Sequence, residues 1–149
     1  MKTALLFLVC CLAVVVAMTV TLKLNVDKKS HPTSAETDYA TKDDLILLTS
    51  PLAGAVVESP LHLAGKARGT WYFEGSFPIE LLDGNGVSIG TAVAQATSDW
   101  MTTDYVPFTA NLIFETPETD TGILLLKKDN PSGDPANDNI LSLHVRFRD

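Results

Sequence analysis

The sequence predicts an all-β, antiparallel sandwich of about seven strands behind one N-terminal apolar helix. Three observations carry this. From Ala4 to Leu22 nineteen residues run without a charge. From Leu45 onward, apolar runs of five to ten residues recur, each bounded by Gly, Pro, Asn or Asp. Between the two lies a polar stretch with neither the strand nor the helix period.

The segment ALLFLVCCLAVVVAMTVTL, residues 4–22, would span about 28 Å as a helix, close to the hydrocarbon thickness of about 30 Å. It is apolar on every side and a polar stretch follows it, so a buried core helix is not its reading. We expect it to stay on the protein as a single-pass membrane anchor. The alternative is a cleaved signal peptide using the poor site at Val15-Val16-Ala17, which would release a secreted free domain. Both cysteines, Cys10 and Cys11, lie inside this segment, so nothing from Met18 onward can form a disulfide or a cysteine metal site. They also sit too early, without a preceding small residue, for a lipoprotein signal.

Residues 23–44 form the expected tether, predominantly polar and mixed in charge, with no apolar period. A flexible chain of that length reaches about 25 Å, enough to lift a domain off the headgroups. The domain proper is expected over residues 45–149, with strands at Leu45–Thr49, Leu61–Ala67, Trp71–Leu82, Val87–Thr97, Phe108–Glu115, Gly122–Lys128 and Ile140–Arg148. In the fifth, Phe108, Ala110, Leu112 and Phe114 face one way and Thr109, Asn111 and Glu115 the other; in the last, Leu141, Leu143, Val145 and Phe147 alternate with Ser142, His144, Arg146 and Arg148. Each such strand buries one face and wets the other. Asp83-Gly84-Asn85-Gly86 between Leu82 and Val87 signals a hairpin. No helix is expected outside the anchor.

Charge excludes one class of partner. The chain has 11 Lys and Arg against 18 Asp and Glu; setting Lys2 aside with the anchor leaves 10 against 18, a net of −8. No basic cluster exceeds the pairs Lys28-Lys29 and Lys127-Lys128, and such a surface repels phosphate backbones, so nucleic acid is not a partner.

Three stretches carry a family resemblance: Gly69-Thr70-Trp71-Tyr72-Phe73-Glu74, Asp99-Trp100-Met101-Thr102-Thr103-Asp104-Tyr105-Val106-Pro107-Phe108 and Lys128-Asp129-Asn130-Pro131-Ser132-Gly133-Asp134-Pro135. With the opening Thr49 to Leu61 and the closing Val145-Arg146-Phe147, the region from about 45 to 149 resembles the immunoglobulin-like domain of bacterial spore germination proteins, often found beside a GerM domain. The likeness is to members that stand as lone domains behind an anchor. It implies an immunoglobulin-like antiparallel β-sandwich outside the cytoplasmic membrane, of binding or structural type, and carries over no activity, cofactor or ligand. The positive-inside count does not favour export, since Lys23, Lys28 and Lys29 oppose Lys2 and the terminal amine. The domain is nevertheless expected on the outer side of a bacterial membrane, because the start resembles an export signal and the family points to the envelope.

Within these motifs, Trp71 in the third strand is expected to be core, as in sandwiches that bury a Trp against the opposite sheet. The competing reading is an exposed aromatic platform of Trp71, Tyr72 and Trp100. Glu74 has Arg68 six residues before it as a structural ion-pair partner. Asp129, Asn130, Asp134, Asn137, Asp138 and Asn139 offer oxygens that Ca²⁺ would accept, but they lack the EF-hand spacing and closing Glu, and Asn-Pro, Ser-Gly and Asp-Pro are turn dipeptides. No metal or catalytic site is expected: His31, His62 and His144 are scattered, and Glu74, Glu80 and Asp83 are spread along one strand and its turn. The rival is an envelope hydrolase or carbohydrate-processing enzyme, which would need two carboxylates about 5 to 9.5 Å apart in a cleft. The partner-binding surface is expected at Trp100, Asp104, Asp129, Asn130 and Asp134, meeting an envelope protein or a cell-wall polymer.

Overall fold

The computed structural model describes residues 39–149. The expected membrane helix at 4–22 and the polar stretch up to residue 38 lie outside the described residues. Eight strands follow in chain order: β1 (Ala40–Lys42), β2 (Ile46–Ser50), β3 (Leu61–Arg68), β4 (Ser76–Asp83), β5 (Ser88–Ala96), β6 (Tyr105–Leu112), β7 (Thr121–Lys127) and β8 (Ile140–Arg146). Helix among the described residues is limited to two 3₁₀ turns, Gly69–Trp71 and Pro135–Asn137, and no helix there is long and apolar enough to cross a membrane.

All neighbouring strands are antiparallel, in the spatial order β1-β2-β3-β6-β5-β4-β7-β8. The ladder is continuous because β5 changes partners. Most of it pairs with β4, but Gln95 and Ala96 pair with Thr109 and Phe108 of β6. The sheet thereby folds over one core, and Phe77 of β4 meets Phe108 of β6 edge to face at 4.9 Å. The outer edge of β8 is covered by the segment before β3, where Gly54 N and Val57 N donate to the carbonyls of His144 and Arg146, and Arg146 N donates to Ala55 O. Such cover removes an unpaired row of backbone groups from solvent.

The alternating patterns read in β6 and β8 are the observed ones. Val106, Phe108, Ala110 and Leu112 are buried with exposed residues between them, as are Leu141, Leu143 and Val145; Phe114 and Phe147, just past the strand ends, are also buried and pack 5.8 Å apart. The β4–β5 hairpin forms as expected. Asp83 Oδ1 accepts from the amides of Asn85 and Val87, Gly86 N donates to Asp83 O, and of the two turn glycines only Gly86 needs a positive φ, +80°.

Two expectations need correction. The run from Trp71 to Leu82 is not one strand: Gly69–Trp71 is a 3₁₀ turn, and β4 begins only at Ser76. Phe73 and Ser76 exchange backbone hydrogen bonds of 3.0 and 3.1 Å, and the two residues between them, Glu74 and Gly75, have φ of +51° and +74°. This tight turn reverses the chain. The strand count also rises from seven to eight, because Ala40–Lys42, at the end of the expected tether, pairs with Leu48–Ile46.

Candidate functional site

The core contains no acidic or basic side chain among the described residues, so function must be sought on the surface. One end of the domain concentrates the motif residues. The pair Arg68–Tyr105 closes the β3–β6 ladder. Beyond it, the turn at 69–75, the β5–β6 loop and the β7–β8 loop meet. Gly69 N donates to Asp104 O at 3.1 Å, and a β-carbon on Gly69 would strike the carbonyl oxygens of Trp100 and Thr102. Only glycine permits that approach. Trp71 O accepts from Asp129 N at 3.0 Å, tying the third segment to the first.

The aromatic residues divide sharply. Trp71 and Tyr72 are buried, stacked edge-on against Phe77 at 6.5 and 5.3 Å, and the Tyr72 hydroxyl donates to Val106 O at 2.7 Å. Burial pushes the Tyr72 phenol above its ordinary pKa. An exposed platform of Trp71, Tyr72 and Trp100 therefore does not form. Trp71 is core, as expected, though it reaches the core from a turn rather than a strand. Trp100 is half-buried: its indole lies over Gly75, where an added β-carbon would be 3.1 to 3.3 Å from the ring. The exposed apolar side chains of this end include Phe73, 42% accessible, and Met101, 77% accessible, with Ile140 at the start of β8 also exposed. Sequence reasoning did not single them out. The available signal was local, a Phe directly before a Glu-Gly turn and a Met inside a polar loop.

Asp104 is exposed; its backbone N–H donates to Thr102 Oγ1 at 3.1 Å and its carbonyl accepts from Gly69 N. In the β7–β8 loop the polar side chains serve the loop itself. Asn130 Nδ2 donates to Asp134 O and Asp138 Oδ1 at 2.8 and 2.7 Å, and Asp134 Oδ1 accepts from Ala136 N at 3.0 Å, capping the 3₁₀ turn. Lys128 Nζ donates to Asn137 O at 3.0 Å. Asp and Asn commonly hold turns this way without a metal.

Beside this end, Asp44 sits in the β1–β2 turn with φ +56°. Arg68 donates to its Oδ2 at 2.7 Å, and the Tyr105 hydroxyl lies 2.7 Å from its Oδ1. Arg68 also lies 4.0 Å above the Tyr105 ring. The Tyr105 hydroxyl first, and then the Arg68 guanidinium, hold the Asp44 carboxyl below the usual carboxylate range. The ion pair expected between Arg68 and Glu74 is thus replaced by one with Asp44, because the turn at 73–76 carries Glu74 away. Glu80 is paired with Lys127 at 2.5 Å, which lowers its pKa.

A hollow of about 380 Å³ lies at the opposite end, between Asp83 and Gly84 on one side and Ile123 and His144 on the other. Its only carboxylate is Asp83, already committed to the hairpin amides. This arrangement gives no carboxylate pair for acid–base chemistry.

Comparison with known protein families gives one match, over residues 45–134, to the family described as the immunoglobulin-like domain of bacterial spore germination. The matched region runs from β2 into the β7–β8 loop and stops short of β8, whereas the motif resemblance ran to 149. No curated protein and no solved structure matches the chain. The three motif stretches that interlock at one end of this antiparallel domain all fall within the match or at its border, and the chain belongs to the family of immunoglobulin-like domains of bacterial spore germination.

Proposed function

We propose that the chain is a membrane-tethered, extracytoplasmic, non-catalytic binding or structural module of the bacterial cell envelope. Residues 4–22 act as the membrane anchor, and the end formed by residues 69–75, 97–104 and 129–139 meets the partner. The observation that carries this reading is the interlocking of the three family motifs into one rigid end that still leaves Phe73 and Met101 exposed. Polar loops fixed on a rigid sheet are where binding residues concentrate. Strand direction is consistent with it: β1 runs toward this end, with its Asp43–Asp44 turn beside Arg68, so the chain enters the domain from the side facing away from it. Trp100, Asp104, Asp129, Asn130 and Asp134 fall within the surface, with Asn130 and Asp134 shaping the loop.

The test uses the full chain in native membranes, with a photo-crosslinking residue at position 101 or, at the opposite end, at position 118. A discrete adduct from 101 alone is expected. Equal labelling from both ends, or none from 101, refutes this surface. Mass spectrometry of the native protein tests the anchor: a mature N-terminus near Met18 would mean a secreted domain instead.

A further inference from the structure

Resting on that reading, we propose that the partner of this end is a basic protein segment, one presenting lysines or arginines around an apolar side chain. This surface carries exposed apolar side chains. Phe73 and Met101 are 42% and 77% exposed, and Trp100 lies half-buried on Gly75 beside them. An aromatic ring and a flexible thioether are residue types that anchor protein contacts.

The surroundings are acidic. Glu74 stands in the turn beside Phe73, Asp99 precedes Trp100, Asp104 follows in the same loop, and Asp129, Asp134 and Asp138 come from the β7–β8 loop. Basic side chains are fewer at this end: Arg68 is paired with Asp44 at 2.7 Å and Lys127 with Glu80 at 2.5 Å, which leaves Lys66, over the Tyr105 ring, and Lys128, donating to Asn137 O at 3.0 Å, as two charges against those six carboxylates. The field over the exposed apolar side chains is therefore negative. Wall polymers that carry phosphate or carboxylate are repelled, while a cationic peptide is steered in and its apolar residue is received by Phe73 and Met101. Glu74 adds a separate hint. It holds φ +51°, which glycine or asparagine would adopt at lower cost, so a carboxylate is kept at the turn tip against local backbone preference.

The chain's two tryptophans provide the assay, since Trp71 is 1% exposed and Trp100 is not buried. The detergent-solubilised full chain is titrated with a short lysine-rich peptide carrying one leucine, following tryptophan emission, with Trp100→Phe as the signal control. Saturable binding is expected, weakened by salt and absent for the same peptide with glutamate in place of lysine. Glu74→Gln with Asp104→Asn, and separately Phe73→Ser with Met101→Ser, should each weaken it by at least about fivefold. Glu115→Gln with Glu118→Gln, at the other end, should leave it unchanged. Glu74→Gly should weaken binding while keeping or raising the melting temperature, which a purely structural Glu74 would not do. No binding, equal binding of the glutamate peptide, or equal loss on neutralising the far end overturns the proposal. If the peptide fails but the position-101 adduct persists, the binding module stands and the basic partner falls.

Discussion

Replacing Phe77 tests the central packing claim. Phe77 is fully buried and its ring is met edge-on by Trp71, Tyr72 and Phe108 at 6.5, 5.3 and 4.9 Å. It therefore joins the 69–72 turn to both layers of the folded sheet. A buried Phe→Ala change costs about 3 to 5 kcal/mol, and edge-to-face pairs add about 0.5 to 1.5 kcal/mol each when they are lost. The pairs share one ring and do not sum fully, so Phe77→Ala should lie near the top of that range, about 5 kcal/mol. A domain of this size has only about 5 to 15 kcal/mol in total, so Phe77→Ala can leave it unfolded. Phe77→Leu keeps most of the volume and should cost about 1 to 2 kcal/mol, within reach of urea unfolding followed by far-UV circular dichroism. Phe73→Ala, four residues earlier and 42% exposed, should cost under about 1 kcal/mol. If Phe77→Leu is neutral, or Phe73→Ala is as costly as Phe77→Ala, the assignment of the aromatic core is wrong.

Gly69→Ala should destabilise by more than about 2 kcal/mol, because backbone rather than a movable side chain blocks the new β-carbon; thermal unfolding measures it. Leu143→Ala should cost about 2 to 5 kcal/mol by urea titration, whereas Ser142→Ala on the wet face of β8 should be nearly neutral. Asp44 has a lowered folded pKa, so its contribution is present above the unfolded value of about 3.9 and is lost as pH falls through the folded one; the melting temperature should drop on acidification, less so in Asp44→Asn. Tyr72 has the opposite sign. Its folded pKa is raised, so stability is full below the unfolded value of about 10 and declines as pH rises beyond it, a decline that Tyr72→Phe should reduce in alkaline melting curves.

The elements legible in the sequence were those whose local pattern and tertiary environment agree. β6 and β8 each lie with one face on the core and one in water, so the period of two is written directly into Phe108–Phe114 and Leu141–Phe147. The 83–86 turn was legible because Asp83 and Gly86 solve a purely local problem. The stretch from Trp71 to Leu82 misled because hydrophobicity does not say whether an aromatic is buried from a strand or from a turn. What breaks the strand is the two-residue reversal at Glu74-Gly75 and the backbone contact at Gly69, which depends on a loop some thirty residues later. β1 was invisible for a related reason. Ala40–Lys42 is short and polar, and what holds it is its pairing with β2 and the grip of Arg68 and Tyr105 on Asp44.

The site was half legible, and the division follows from what a motif records. Gly69, Trp71 and Tyr72 stand out because their chemistry is specific: a glycine no β-carbon could replace, a buried indole, a hydroxyl committed to the Val106 carbonyl. Asn130 and Asp134 stand out because they hydrogen-bond their own loop. These residues build the end of the domain, and they do so whatever that end meets. A side chain used for contact is instead one that the fold leaves unsatisfied, which is the condition of Phe73 and Met101 and of the exposed carboxylate at Glu74. It follows that variation at Gly69, Trp71, Tyr72, Asn130 and Asp134 should register as stability and variation at 73, 74 and 101 as binding, and Trp100, half in the core and half out of it, should register as both.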